Sequence, residues 1–215
     1  MPTSSLLGIF IFSFVFGFAA VVSPGPVTVA IVSQAPRRGW IVGPMIALGH
    51  SLLELIIVIL LAIGLSSGMA SETIQFTIAI LGGVLLSWMG GQMLIGTFRG
   101  DIQLPRSGGE DSTMSLKDLV NMGVITTASN PFWYAWWVTA AAGYLVQAQD
   151  LGLPAVAAFY FGHISADFTW DTTLSTVVGS GRRWITDRIY RFIIALCGSF
   201  FIYTGILFLL MPFRH

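Results

Sequence analysis

Charged residues are scarce in this 215-residue chain, making up 9% of it, whereas hydrophobic residues make up 55%. Soluble domains carry about a quarter charged residues, so the composition excludes an ordinary soluble domain and predicts a polytopic, all-α membrane protein. The ten basic residues are matched by ten acidic ones. This absence of net positive charge gives no reason to expect nucleic acid as a partner.

Cysteine is nearly absent as well. Cys197 is the single cysteine and lies in an apolar segment, which excludes a disulfide framework and dithiol redox chemistry within the chain. A cleaved signal peptide is not expected, because residues 2–7 contain no basic segment. The apolar run that follows leads into a Pro-Gly-Pro sequence instead of a small-residue cleavage site.

Long apolar runs are abundant instead. Six of them are long enough to cross roughly 30 Å of hydrocarbon, at residues 8–33, 41–65, 73–97, 118–145, 154–178 and 190–211. Nine of the ten Lys and Arg residues lie in or beside the connections that follow the first, third and fifth spans. By the positive-inside rule these connections are cytoplasmic and both termini are outside. The sequence therefore predicts a multi-pass protein of the cytoplasmic (inner) cell membrane.

A polar linker at residues 99–116 divides the chain into two halves of three spans, residues 1–98 and 117–215. Matching residues recur in the same order: Gly49, His50 and Glu54 return as Gly162, His163 and Asp167 at an offset of 113, and Gly83 and Gly90 return as Gly198 and Gly205 at an offset of 115. An odd number of spans per half would invert the second half relative to the first. Inverted repeats with broken helices are typical of secondary transporters; the alternative is chance recurrence of residues that are common in membrane helices.

Prolines interrupt the first and fourth spans, in Ser23-Pro24-Gly25-Pro26 and in Ser129-Asn130-Pro131. A proline inside a helix costs about 3 kcal/mol, and irregular backbone within a membrane is tolerated only where it is buried or lines a cavity. We therefore expect broken helices at both places, each with a half-helix that starts at its prolines. The positive ends of these half-helices would hold a substrate carboxylate. An ordinary proline kink is the alternative at Pro131.

Ionisable residues at membrane depth are few. His50 and Glu54 share a face of the second span, and His163, Asp167 and Asp171 follow at four-residue steps on the fifth. An unpaired charge there costs at least about 2.5 kcal/mol. We therefore expect Glu54 and Asp167 to receive a substrate ammonium or a coupling proton, with the histidines as relays. The alternatives are a purely structural hydrogen-bond network and a divalent-metal site, the latter without sulfur ligands or a tight ligand motif.

Aromatic residues crowd the fourth span after its proline. Trp133 and Trp137 are four residues apart, so they share a helical face and are predicted to shape the substrate pocket. A position in an interfacial aromatic belt is the alternative. The glycines of the third span form a small-residue face, which is more typical of contact within the chain than of a homodimer.

The motifs resemble those of the LysE/RhtB amino-acid exporters. The run Ser23-Pro24-Gly25-Pro26, followed by Arg37-Arg38-Gly39 and Ala47-Leu48-Gly49, is similar to the first-repeat signature of that family, Asn130-Pro131 with its aromatic residues resembles the fourth-span motif, and Gly83, Gly90 and Gly96 fit the third span. The resemblance implies an inner-membrane exporter of amino acids or derivatives, driven by proton or sodium exchange. Many members have a lysine directly after Asn-Pro, where this sequence has Phe132, so substrates do not transfer from other members.

The sequence thus predicts a carrier, not an enzyme, that exports an amino acid or related small zwitterion. Its expected partners are this small-molecule substrate, the lipid bilayer, a coupling ion and, as an alternative, a second copy in a homodimer; no cofactor and no metal are expected. The predicted substrate-binding residues are Ser23, Pro24, Gly25, Pro26, Glu54, Asn130, Pro131, Trp133 and Trp137, and the predicted proton-coupling residues are Glu54, Asp167, Asp171, His50 and His163. The alternatives are a divalent-cation exporter of the same superfamily, an intramembrane aspartyl protease using Asp167 and Asp171, and a purely structural membrane subunit.

Overall fold

A computed structural model describes residues 3–62, 72–103, 114–137, 141–180 and 186–210. These ranges are helical and contain no strand, which confirms the all-α class. Sequence-based predictions for residues 63–65, 104–113, 138–140, 182–183 and 211 concern parts of the chain outside the described ranges.

The first predicted span is broken, as the sequence indicates. Helix α1 (Leu6–Val21) ends before the Pro-Gly-Pro sequence, and α2 (Pro26–Arg38) begins at its second proline. A short 3-10 turn (Gly39–Ile41) connects α2 to α3 (Val42–Leu60). Gly39 has a φ of 72°, a left-handed conformation that favours glycine. After the gap, α4 covers Glu72–Arg99.

The second half also contains a broken helix. Helix α5 (Leu116–Ala128) starts with a capping box between Ser115 and Asp118. The predicted break then separates α5 from the short α6 (Pro131–Trp136), and α7 (Ala142–Asp150) continues the chain. Helix α7 ends at Asp150, beyond the end of the predicted span 118–145. Helices α8 (Leu153–Ser180) and α9 (Asp187–Leu210) complete the fold.

Two helical stretches within the described ranges are long and apolar enough to cross a membrane: Pro26–Leu60, with mean hydropathy 2.0, and Asp187–Leu210, with mean hydropathy 2.3. Leu6–Val21 is a shorter apolar helix, and the count of six spans stays a prediction. Large apolar side chains point outwards: Phe98 is 85% exposed and Leu153 78%. Apolar surface of this kind marks contact with lipid or another protein.

Helix pairs in contact correspond between the two halves. Helix α1 packs against α8, and α5 packs against α3. A glycine permits the close approach in each case, since a side chain at Gly162 of α8 would meet the carbonyl oxygen of Phe10, and one at Gly49 of α3 would meet that of Val120. The two glycines are the ones that the sequence matches at an offset of 113.

Helices α4 and α9 also pack against each other through glycines. A Cβ atom at Gly83 would lie 2.8 Å from the carbonyl oxygen of Gly205, and one at Gly90 would lie 2.5 Å from that of Gly198. At the offset of 115, Gly83 corresponds to Gly198 and Gly90 corresponds to Gly205. The two contacts are therefore equivalent between the two halves. These contacts lie within the chain, as predicted for the small-residue face.

A polar layer separates two buried apolar clusters. One cluster contains Ile57 and Phe159, and the other contains Ile46 and Val178. Helices α3 and α8 pass through both clusters in opposite directions. The polar residues of α3 therefore meet those of α8 about halfway along α3, which is about 28 Å long.

Candidate functional site

Glu54 lies at the centre of the polar layer and is completely buried. Its Oε1 accepts hydrogen bonds from Nε1 of Trp133 and Nε1 of Trp137, both at 3.2 Å. Nε2 of His163 and Nε2 of His50 each lie 3.1 Å from the same oxygen. An indole N–H can only donate, so the two tryptophans fix Oε1 as an acceptor. The other oxygen, Oε2, has no hydrogen-bond partner among the described residues.

The orientation of His50 is set by a threonine on α5. Nδ1 of His50 lies 2.7 Å from Oγ1 of Thr127, whose hydroxyl donates to the carbonyl oxygen of Gly123 at 2.7 Å. A hydroxyl has one hydrogen, so Oγ1 accepts from His50 and the proton of the ring is on Nδ1. Nothing in the sequence marked Thr127, because its role depends on contact between α3 and α5.

His163 has a different environment, although it corresponds to His50 in the sequence. Its Nδ1 has no hydrogen-bond partner in the described part of the chain and faces Gly17 of α1, where a side chain would collide with it. Its ring stacks on Trp136, with centroids 4.6 Å apart and planes at 21°. Gly17 stands where the other half has Thr127, so the two histidines are not equivalent.

Asp167 and Asp171 continue the polar face of α8, as the four-residue spacing predicted. Oδ1 of Asp167 lies 3.9 Å from Nε2 of His50, and its Oδ2 lies 3.7 Å from Nε2 of His163, which is the range of ion pairs and too long for hydrogen bonds. Asp171 is one turn further along. Each carboxyl is 2% exposed, and neither Oδ2 has a hydrogen-bond partner among the residues described.

A cavity that is open to the outside adjoins this layer. The predicted site residues in its wall are Ser23, Pro24, Gly25, Pro26, His50, Glu54, Asn130, Trp133, His163, Asp167 and Asp171. Trp137 is not in the wall, although it is completely buried and its indole contacts Glu54. The wall also contains Leu86 of α4 and Phe200, Phe201 and Thr204 of α9; as ordinary members of apolar runs they carry no signal in the sequence.

A family model described as LysE type translocator matches residues 18–212. The chain belongs to the LysE type translocator family. No curated protein and no solved structure matches it. Family membership confirms the resemblance seen in the sequence and makes the protein a membrane transporter, which agrees with the prediction that it is not an enzyme. All the cavity residues lie within the matched range.

The two helix breaks of this LysE type translocator differ at the cavity. At the first, Gly25 precedes α2 and no side chain caps the helix, so the first-turn residues Val27 and Thr28 leave amide groups for a ligand. At the second, Oδ1 of Asn130 accepts from the amide of Phe132 at 3.1 Å. The translocator therefore has one open helix end and one that its own side chain caps.

One ligand atom from each of His50, Glu54 and Asp167 lies within 4.8 Å of the other two, which is close enough for one metal ion to contact all three. The donor set argues against such an ion in this arrangement. Oε1 of Glu54 is surrounded by four nitrogen atoms, two of which belong to indole N–H groups that cannot bind a metal. A cation would have to use oxygens other than Oε1.

Proposed function

We propose that this translocator exports amino acids or related small zwitterions across the cytoplasmic membrane, in exchange for protons or sodium ions. The observation that carries this proposal is that one cavity offers a counterpart for each charge of a zwitterion. The uncapped start of α2 at Pro26 lies in the same wall as the carboxyl groups of Asp167 and Asp171. Helix N-termini attract anions, and buried carboxylates need a positive partner.

In this proposal the substrate carboxylate binds at residues 23–28, with the amide nitrogen of Asn130 as a further donor across the break that precedes Pro131. Glu54 and Asp167 serve the ammonium group or the coupling proton. Trp133 and Trp137 contribute by holding Glu54 through their indole groups. Positions near the middle of long helices support a site at membrane depth, where transporters bind their substrates.

Proton coupling is supported by the hydrogen bonds of His50. The ring proton of His50 lies on Nδ1, which donates it to Thr127, so Nε2 of the neutral ring has no hydrogen to give to Oε1 of Glu54. The contact between Nε2 and Oε1 is therefore favourable only when one more proton lies between the two groups. His163 and Asp167 lie within 4 Å of the same pair. We propose that a proton moves among these four groups during the cycle.

Alternating access would use the two halves as inverted repeats, residues 1–98 and 117–215, joined by a cytoplasmic linker at residues 99–116, with both termini outside. The corresponding contacts of α1 with α8 and of α5 with α3 support this proposal. So do the exchanged glycine pairs between α4 and α9. In such transporters one repeat rocks against the other around a fixed site.

The test is efflux of a labelled amino-acid mixture from preloaded cells, with and without a proton or sodium gradient. We expect gradient-dependent loss of particular amino acids that Asp167→Asn abolishes at equal protein level in the membrane. Asp150→Asn removes a carboxylate from the exposed end of α7 and should transport normally. No movement of any amino acid would refute the proposal; resistance to divalent metal salts would then favour a metal exporter.

A further inference from the structure

The carboxyl groups of the cavity are not equally available to a ligand. Oε1 of Glu54 already contacts two indole N–H groups and two histidine nitrogens, and Asp167 lies within 4 Å of both histidines. Asp171 is buried as deeply, at 2% exposure, yet its Oδ2 has no partner in the described ranges. It lines the cavity, so a cation there would be its natural partner.

No Lys or Arg is among the described residues that line this cavity. Apart from the two histidines, which are in contact with Glu54, the wall offers no basic side chain to Asp171, and a buried charge without a partner is costly. A ligand that brings its own positive charge removes that cost when it binds. A primary ammonium group suits the place, because it can donate to both oxygens of a carboxylate.

Aromatic rings form much of the remaining wall. Phe132, Trp133 and Trp136 come from α6, and Phe200 and Phe201 come from α9 on another side of the cavity. The indole of Trp133 already donates to Glu54, and one face of the Trp136 ring is stacked on His163. Phe200 is half-buried, so part of its ring is free to pack against a ligand.

We infer that Asp171 binds the ammonium group of the substrate, and that the substrate is an amino acid with a large apolar side chain, which packs against the aromatic wall at Phe200. This inference rests on the proposed function and names the substrate class of the same site. The rings of Phe200 and Phe201 offer no hydrogen-bond partner to a charged or small polar side chain. Asp171, which the sequence suggested only for proton coupling, becomes a substrate-binding residue.

The experiment measures efflux of phenylalanine, leucine, alanine, lysine and glutamate from preloaded cells. We expect leucine and phenylalanine to leave at least about tenfold more efficiently than alanine, because each methylene in an apolar pocket contributes about that factor or more. Phe200→Ala should reduce this preference. Phe192→Ala is the matched control, since Phe192 lies on the same helix but is 68% exposed and outside the cavity.

The ammonium contact is tested with 3-phenylpropionate, which has the carboxylate and ring of phenylalanine but no amino group. Against the wild type it should compete with phenylalanine efflux at least about tenfold more weakly than phenylalanine itself. In the Asp171→Asn variant this difference should disappear, because phenylalanine should bind more weakly while 3-phenylpropionate should bind as it does to the wild type. Binding to the purified protein, followed by tryptophan fluorescence, gives the same comparison independently of the gradient, and normal yield of the variant in the membrane excludes misfolding.

Three outcomes of these experiments would overturn all or part of the inference. Efflux that favours lysine, glutamate or alanine overturns the substrate class while leaving amino-acid export in place. An Asp171→Asn variant that binds phenylalanine normally but loses its gradient dependence assigns Asp171 to the coupling cation and overturns the ammonium contact. If no amino acid moves at all, the proposed function fails and this inference fails with it.

Discussion

Replacing Glu54 by glutamine should lower the stability of the protein far more than the same change at Asp171. The amide keeps the size of the carboxyl but loses its charge. In the structure Oε1 of Glu54 contacts four nitrogen atoms at 3.1–3.2 Å. The two indole N–H groups can only donate, and neither can be turned away from Glu54 without leaving a buried N–H group unsatisfied. The two histidine nitrogens donate when they carry a proton, as in the proton proposed to lie between His50 and Glu54.

The size of the effect follows from those four contacts. A hydrogen bond to a charged acceptor contributes about 1.5–3 kcal/mol, and one to a neutral acceptor about 0.5–1.5 kcal/mol. Each bond therefore weakens by about 1 kcal/mol, and the Glu54→Gln variant should lose about 4 kcal/mol. For a chain of this length that corresponds to a fall in the unfolding temperature of roughly 8–16 °C.

The assay is thermal unfolding of the purified protein in detergent, monitored by loss of the monomer peak after heating. Asp171→Asn is the control, because its Oδ2 has no hydrogen bond to lose among the described residues; its unfolding temperature should stay within a few degrees of the wild type. Equal stability of the Glu54→Gln variant and the wild type would refute the central role of Glu54 in this network.

Three further predictions follow from the same geometry. Thr127→Val removes the acceptor for Nδ1 of His50, so it should cost about 1–3 kcal/mol; unchanged thermal unfolding would contradict the assigned ring orientation. Gly90→Ala should reduce the yield of folded protein, because a Cβ atom there would lie 2.5 Å from the carbonyl oxygen of Gly198, whereas Gly91→Ala, with nothing within 4 Å, should be tolerated; equal yields would contradict the close α4–α9 packing. In a Cys197→Ala background, an impermeant thiol reagent applied to intact cells should label a cysteine at exposed position 150 but not one at exposed position 101; the opposite pattern would invert the predicted orientation.

Several features of the site could be predicted from the sequence. The break at residues 22–25 was predictable because proline and glycine act locally, whatever surrounds them. The common face of His163, Asp167 and Asp171 was predictable because helical periodicity alone determines it. The start of α6 at Pro131 followed from the same local rule.

The sequence by itself determined the class of this protein, the places where its helices break and the faces on which its ionisable residues lie. Composition, proline geometry and helical period act over a few residues, so they need no knowledge of the fold. The tertiary structure alone decided which groups meet. Glu54 receives its four nitrogen contacts from α3, from α8 and from the segment that begins at Pro131, and His50 acquires Thr127 where His163 has Gly17. Phe200 enters the cavity wall from the far end of the chain. Hydrogen-bond partners and cavity walls depend on contacts between segments that are distant in the sequence. No local pattern therefore predicts which carboxyl group will lack a hydrogen-bond partner.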